Sequence, residues 1–297
     1  VVGASGQIGR RVCRGLLQRD VTVRGLTHSD AGALRLADLG VHDVVRADLS
    51  DPGSLSPIFD GVDRVMLVTR AIQQPTQELN AVDAAREADV DRIVKLSSEI
   101  LYYHWDHLGA SGRASPPDMV SALHGPAEER IRDTGIAGVM LRPTWFMSIH
   151  ANPLAAPGFA HNQFVWPQGS AGLALVHPED VAAVAVECLL AQSPPESPVR
   201  LTGPEELSPD QIAAGFAEAT GAPLVAVSPP LKDYEVWLET LAGMPRQASR
   251  IVAPYAERPE APLSDAVEQL LGRQARSFGE YLDDEVATTA QPGRSSS

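Results

Sequence analysis

Three glycines at a spacing of three, Gly3, Gly6 and Gly9, stand between the apolar pair Val1-Val2 and a segment whose apolar residues recur at helical spacing from Ile8. Glycines in that setting act through their backbone. The first permits a tight turn, the second lets the chain approach a pyrophosphate, and the third lets the helix pack close to the strand. The helix that follows offers the unpaired N–H groups of its first turn to an anion. Gly3, Ala4, Ser5, Gly6, Gln7, Ile8 and Gly9 therefore form a candidate phosphate loop with the pattern G-x-x-G-x-x-G. The competing explanation is a bare strand-to-helix turn.

Two further groups of residues could do chemistry. Ser97 and Ser98 close an apolar run, and in open α/β sheets ligands bind beyond the carboxyl ends of the strands. Hydroxyls there can bond a carbonyl oxygen or a carboxamide, or simply cap the strand. The run Tyr102, Tyr103, His104, Trp105, Asp106, His107 offers His104-x-x-His107 as two metal ligands. Zinc sites take three or four ligands on a fixed scaffold, and no further ligand can be named, so no metal is expected. An aromatic lid over an apolar pocket is the better reading, with Trp145, Phe146, Phe164 and Trp166 as its other members.

The elements that must hold these residues alternate regularly. Helical spacing is expected at 8–18, 33–39, 52–59 and 77–88, and strands at 21–26, 41–46, 64–68 and 92–97. Short β-branched runs between helices are the mark of a parallel sheet built from βαβ units. Strand one has only two residues before its turn, against about five or six in an ordinary strand, so the numbering is expected to begin partway into it. After an irregular stretch at 102–117 the pattern resumes, with a helix at 121–134 and a strand at 138–142. A helix at 179–190 and a strand at 199–201 follow. Helices at 208–220 and 234–241 belong to a proline-broken C-terminal lobe, and 288–297 has the composition of a disordered tail.

Composition sets outer limits. With 44% hydrophobic residues the chain is an ordinary globular protein, and 297 residues suit one large α/β body with a smaller lobe. No apolar run approaches the about 18 residues of a membrane span; the best, 181–191, is interrupted by Glu187. A net charge of −14 argues against nucleic acid or an anionic membrane as partner, since both need a basic face. Cys13 and Cys188 cannot build a disulfide scaffold, and no signal peptide is evident, so a reducing cytoplasm is expected. Of the 24 basic residues only Lys95 and Lys232 are lysine. Any reaction that needs a catalytic lysine has two candidates.

The stretch Gly3–Gly9 resembles the phosphate loop of the NmrA-like atypical short-chain dehydrogenases, which include the bacterial type-two quinone oxidoreductases. Further similarity follows in order: 23–28, 47–49, 96–98, the pair His124-x-x-x-Glu128, then 134–136, 141–146 and 201–208. It extends to about residue 245. The resemblance implies a Rossmann-type doubly wound parallel sheet with a smaller C-terminal substrate lobe. Residues 1–150, completed by about 173–203, would form the NAD(P)-binding domain, and 151–172 with 204–285 the substrate lobe.

The same resemblance places Ser5, Gln7 and Ile8 beside the three glycines on the dinucleotide, with Asp48 and Leu49 near the adenine. Thr69, Ser97 and Pro143 would lie along the cofactor. Relatives that prefer NADP carry arginine where this chain has His28, and a guanidinium fork suits a phosphate better than a neutral imidazole does. Asp30 would favour NAD, while Arg24 and Arg10 favour NADP, which is kept ahead.

The Tyr-x-x-x-Lys pair of ordinary short-chain dehydrogenases is absent. Tyr103-x-x-x-His107 comes nearest, and His124 stands where the lysine belongs. Reducing a simple ketone creates a basic alkoxide and needs a good proton donor. A hydroquinone anion, with a phenol-like pKa of about 10, tolerates a weaker one. The missing pair therefore favours acceptors that spread charge. His124, Ser97 and Tyr103 are the catalytic candidates; Ser98, Tyr102, Trp105, Trp145, Phe146 and Phe164 would face the substrate. Glu128 could orient His124, but a surface pair with Arg132 is the favoured reading. The leading expectation is an NAD(P)H-dependent reductase of a small apolar conjugated carbonyl or quinone, acting as monomer or homodimer. The alternatives are a non-reductive tailoring enzyme of secondary metabolism and a regulator that senses NAD(P) without turnover.

Overall fold

The computed structural model describes residues 1–69, 75–99, 119–152, 155–167, 172–241 and 263–287. Its strands are β1 Arg24–Thr27, β2 Asp43–Arg46, β3 Arg64–Leu67, β4 Arg92–Leu96, β5 Ala137–Pro143, β6 Gln163–Val165, β7 Val199–Leu201 and β8 Val225–Val227. Its helices are α1 Gln7–Leu17, α2 Asp30–Asp38, α3 Ser56–Phe59, α4 Pro75–Glu87, α5 Met119–Thr134, α6 Ala156–Ala160, α7 Pro178–Leu190, α8 Pro209–Thr220, α9 Leu231–Leu241, α10 Ala266–Leu271 and α11 Phe278–Tyr281. The chain divides into two compact units.

The first unit comprises Val1–Pro143, Pro178–Leu201 and Ala266–Gly272. Strands β3, β4, β5 and β7 run parallel in that order, and β1 pairs in parallel with β2. Val1 and Val2 lie between the two groups. The Val1 carbonyl accepts from Leu26 N–H at 2.9 Å, Val2 N–H donates to the Met66 carbonyl at 2.8 Å, and Val2 bridges Leu67 in parallel. The chain thus starts at the centre of the sheet, builds one side with β1 and β2, and crosses to the other with β3. That reversal creates the crevice where doubly wound sheets bind ligands.

Apolar residues decide the packing. Val2, Leu26, Val65, Leu67 and Ile93 of the sheet meet Ile58 and Phe59 of α3, Val82 and Ala85 of α4 and Ile131 of α5 in one buried layer. Helix α1 buries Ile8, Val12, Cys13 and Leu16 and packs against α7. They approach so closely that a Cβ on Gly15 would meet Val186 Cγ2 at 3.0 Å.

The second unit comprises Thr144–His177, Thr202–Asp265 and Arg273–Ser297. Its core is aromatic. Trp145 and Trp166 meet edge to face at 5.0 Å, Phe159 meets Phe216 at 5.1 Å, and Phe278 meets Phe216 at 5.4 Å. Helix α8 has strong local signals at both ends: Ser208 and Gln211 form a capping box, Pro209 opens the helix, and Gly221 ends it at φ +69°. Strands β6 and β8 pair in parallel here, and neither is apparent from the sequence pattern. Each has three residues, too few for an alternation to show.

Candidate functional site

The glycine loop is built as its spacing requires. Gly3 takes φ +69°, and a Cβ there would sit 2.1 Å from the Val68 carbonyl oxygen. A Cβ on Gly9 would sit 2.2 Å from the Gly3 carbonyl oxygen, so only glycine lets α1 approach its strand. Gly6 differs: a Cβ there would meet only the Gly3 oxygen, at 3.2 Å. Gly6 is also the N-cap of α1, and no side chain caps the helix. The first turn of an eleven-residue helix is thus left to the solvent side, where the N–H groups and helix dipole favour an anion. The loop fits a pyrophosphate.

The edge of β1 is tied to this loop. Ser5 Oγ lies 3.1 Å from Thr27 Oγ1, and Ala4 N–H donates to the Leu26 carbonyl at 3.1 Å. His28 follows, exposed, and Ser29 caps α2 by accepting from Gly32 N–H at 3.1 Å. Asp48 accepts from Ser50 N–H at 2.8 Å; the Ser50 bonds, with the nearby His28, hold its carboxyl below the usual range. Asn80 of α4 donates to the Leu49 carbonyl at 2.8 Å and fixes the next residue. His28, Asp48 and Leu49 thus belong to one edge of the sheet.

Arg24 does not belong there. It opens β1, three residues before Thr27, and so lies at the amino end of the strand, about 10 Å from the carboxyl edge. It pairs with Asp43 at 2.8 Å and donates to the Ile58 and Asp60 carbonyls at 2.9 and 3.0 Å. The expectation that Arg24 faces the nucleotide is corrected by strand direction. The guanidinium at the right end is Arg46, level with Thr27 in the β1–β2 register and paired with Asp30 at 2.7 Å. Sequence reasoning missed it. Its position as the last residue of a strand was the available signal.

Strand β4 and helices α4 and α5 hold a buried charged relay. Lys95 of β4 and Glu78 of α4 are both 0% exposed and pair at 2.9 Å. Thr69 donates its hydroxyl to Glu78 Oε1 at 2.5 Å, so this hydroxyl serves the relay. Lys95 Nζ also reaches the Leu96 carbonyl and His124 Nδ1, each at 3.1 Å. Burial, and then the Lys95 charge, hold the His124 imidazole well below its ordinary value, so the ring is neutral at pH 7. An ionisable residue inside the apolar run Ile93-Val94-Lys95-Leu96 was the signal for Lys95. Glu78 gave none.

A second buried cluster surrounds Glu128. Ser97 donates its hydroxyl to Glu128 Oε1 at 2.5 Å, while Arg142 reaches Oε1 and Oε2 at 3.2 and 2.7 Å. Arg132 adds a bond to Oε2 at 2.9 Å. Burial opposes the charge of Glu128, but Arg142, Ser97 and Arg132 together carry its carboxyl below the ordinary range. The expected surface pair of Glu128 with Arg132 is thereby corrected. The contact exists, yet Glu128 is 0% exposed and is shared with Arg142. Ser97 is 5% exposed and has its hydroxyl engaged in this cluster. Ser98 beside it is half-buried, and Pro143, buried, accepts from Glu99 N–H at 3.0 Å.

Within the second unit, Trp145 and Phe146 are half-buried, whereas Phe164 is 0% exposed and stacks on Trp166 at 6.0 Å. Phe164 is a core residue of that unit. Tyr102, Tyr103 and Trp105, the His104/His107 metal reading, and the tail at 288–297 lie outside the described residues. Among the described residues no helix is long and apolar enough to cross a membrane.

Comparison with known proteins agrees with this geometry. The profile of a family described as NAD(P)H-binding matches residues 3–192. An NAD(P)H azoreductase of Xenophilus azovorans is 28% identical over 295 residues, 97% of each chain. A (4-alkanoyl-5-oxo-2,5-dihydrofuran-3-yl)methyl phosphate reductase of Streptomyces griseus is 31% identical over 287 residues, 95% of each chain. Among solved structures, the NADPH-dependent quinone oxidoreductase QOR2 of Escherichia coli, complexed with NADPH, is similar with a TM-score of 0.76. It is 23% identical, and the match covers 95% of this chain and 97% of that one, which shows a common fold.

Proposed function

We propose, from the premise that this chain belongs to the NAD(P)H-binding family, that it is an NAD(P)H-dependent reductase of a small, apolar, conjugated carbonyl compound or quinone. Its cofactor is NADP or NAD, held at the pyrophosphate by the loop Gly3–Gly9 and the uncapped start of α1. His28, Asp48 and Leu49 lie along the adenosine end, and Ser97 and Pro143 close the strands toward the nicotinamide. When bound, the reduced nicotinamide supplies a hydride.

The single observation that carries the substrate class is the contact of His124 Nδ1 with the buried Lys95 Nζ at 3.1 Å, a setting that favours the neutral imidazole. A neutral imidazole donates a hydrogen bond but surrenders its proton reluctantly. It therefore suits an oxygen whose developing charge is delocalised, and not the alkoxide of a simple ketone. The relatives named as an azoreductase and a reductase support a reductive reaction. The aromatic second unit, with Trp145 and Phe146 half-buried, fits a substrate lobe for an apolar ligand.

The test is a fluorescence titration of the protein with NADH and NADPH, followed by a screen of quinones and enones for loss of absorbance at about 340 nm, the reduced-nicotinamide band. Binding of one nucleotide with turnover of a conjugated acceptor is the expected result. Binding without turnover of any acceptor would replace the reductase by a nucleotide sensor.

A further inference from the structure

We infer that Lys95 is the positioning residue for His124: its ammonium group, oriented by Glu78, occupies Nδ1 of the imidazole and so keeps the ring proton on Nε2, which is offered to the oxygen of the reducible substrate. This inference rests on the reductase reading and deepens it.

The argument is one of donors and acceptors. A lysine ammonium has three N–H groups and no lone pair. Its three directions are taken by the Glu78 carboxylate at 2.9 and 3.0 Å, the Leu96 carbonyl at 3.1 Å and His124 Nδ1 at 3.1 Å. Nδ1 must therefore be an acceptor, and a neutral imidazole that accepts at one nitrogen carries its proton on the other. Lys95 cannot swing away, because it and Glu78 are both 0% exposed. Thr69 donates to Glu78 Oε1 at 2.5 Å and holds the carboxylate against the ammonium. The three side chains come from β4, α4 and α5, so the tautomer is fixed by packing of separate elements and not by a local turn.

The chemistry balances with the cofactor class already assigned. The acceptor gains one hydrogen with two electrons from the dihydronicotinamide, which is oxidised. Its oxygen takes the negative charge beside Nε2–H, and a proton from water completes the product. Histidine 124 supplies a hydrogen bond throughout and is not consumed.

The experiment uses the full chain with ¹⁵N-labelled histidine, the His124 signals being assigned by loss in His124→Asn. Long-range proton–nitrogen spectra are expected to show the Nε2–H tautomer, with the ring still neutral at the ordinary histidine value of about 6.5. Lys95→Met alone strands a buried carboxylate, so the paired variant K95M/E78Q is used beside it. In that pair Nδ1 loses its donor, so the Nδ1–H tautomer is expected to appear beside Nε2–H, while burial still holds the ring neutral at pH 7. The kcat for menadione is expected to fall at least about tenfold, with the KM for NADPH unchanged. A native ring protonated on Nδ1, or a paired variant with native kcat, would overturn the inference. Failure of the native protein to reduce any quinone would instead overturn the reductase reading, while the tautomer spectra still decide whether Lys95 sets the imidazole.

Discussion

Glu128 and Arg142 form a two-pronged ion pair inside the first unit, Nη2 to Oε2 at 2.7 Å and Nε to Oε1 at 3.2 Å, with neither side chain more than 2% exposed. The fork links α5 to β5, and Ser97 joins β4 to it. Removing Glu128 takes from the buried Arg142 guanidinium the carboxylate that balances its charge. Glu128→Ala is therefore expected to cost about 3–5 kcal/mol, measured by urea denaturation. Arg132→Ala, whose side chain is 48% exposed, should cost no more than about 1 kcal/mol. Equal losses in the two variants would mean that the buried fork does not dominate.

The three glycines of the loop are expected to fail differently. Gly9→Ala places a Cβ 2.2 Å from the Gly3 carbonyl and should lower both the Tm and the affinity for nucleotide. Gly6→Ala meets only the Gly3 oxygen at 3.2 Å, so the fold should survive while nucleotide affinity falls. Calorimetry with NADPH on both variants separates the two effects. Unchanged affinity in Gly6→Ala would remove the pyrophosphate from the loop.

Strand direction makes a prediction about coenzyme preference. Arg24→Ala should destabilise the protein, since its partner Asp43 and two carbonyls lose a donor, yet leave the NADPH-to-NADH ratio of kcat/KM as it was. Arg46→Ala should weaken NADPH more than NADH, because Arg46 stands at the carboxyl end of β2. His28→Arg should raise the NADPH preference by about tenfold or more, in line with the about 1.5–3 kcal/mol of a charged hydrogen bond. A ratio that moved with Arg24 alone would contradict the placement.

Stability should decline in weak acid. Folding holds His124 well below its ordinary value, so below about pH 6.5 the unfolded chain binds a proton that the folded chain does not. The contribution is fully present above that pH and is lost as pH falls toward the folded value, at about 1.4 kcal/mol per pH unit. His150, lowered by burial, acts in the same direction. Denaturation curves between about pH 8 and 5.5 should slope accordingly, and His124→Asn should flatten the slope in part. A slope unchanged by His124→Asn would show that the ring is not held neutral.

Much of the first unit could be read from residue order, because each βαβ step leaves a local trace. The glycine loop, the helix from Ile8 and the alternation through Leu96 need only neighbours in the chain. What could not be read depends on residues brought together from afar. Glu78 and Lys95 are seventeen positions apart, Glu128 and Arg142 fourteen, and nothing near either acid announces its partner. The i,i+4 spacing of Glu128 and Arg132 suggested a surface pair because helix geometry is local and burial is not. Arg24 was misplaced for a simpler reason: its chemistry suited a phosphate, but strand polarity puts it at the other end.

The two lysines are unequal in a way that matters outside catalysis. Lys95 is sealed, with its hydrogens engaged, while Lys232 stands exposed on α9 in the second unit. Reagents that attack side-chain amines should therefore modify Lys232 and spare Lys95. A dye, tether or bead directed at lysine side chains would then attach at Lys232 in the second unit and leave the Lys95 ammonium with its partners.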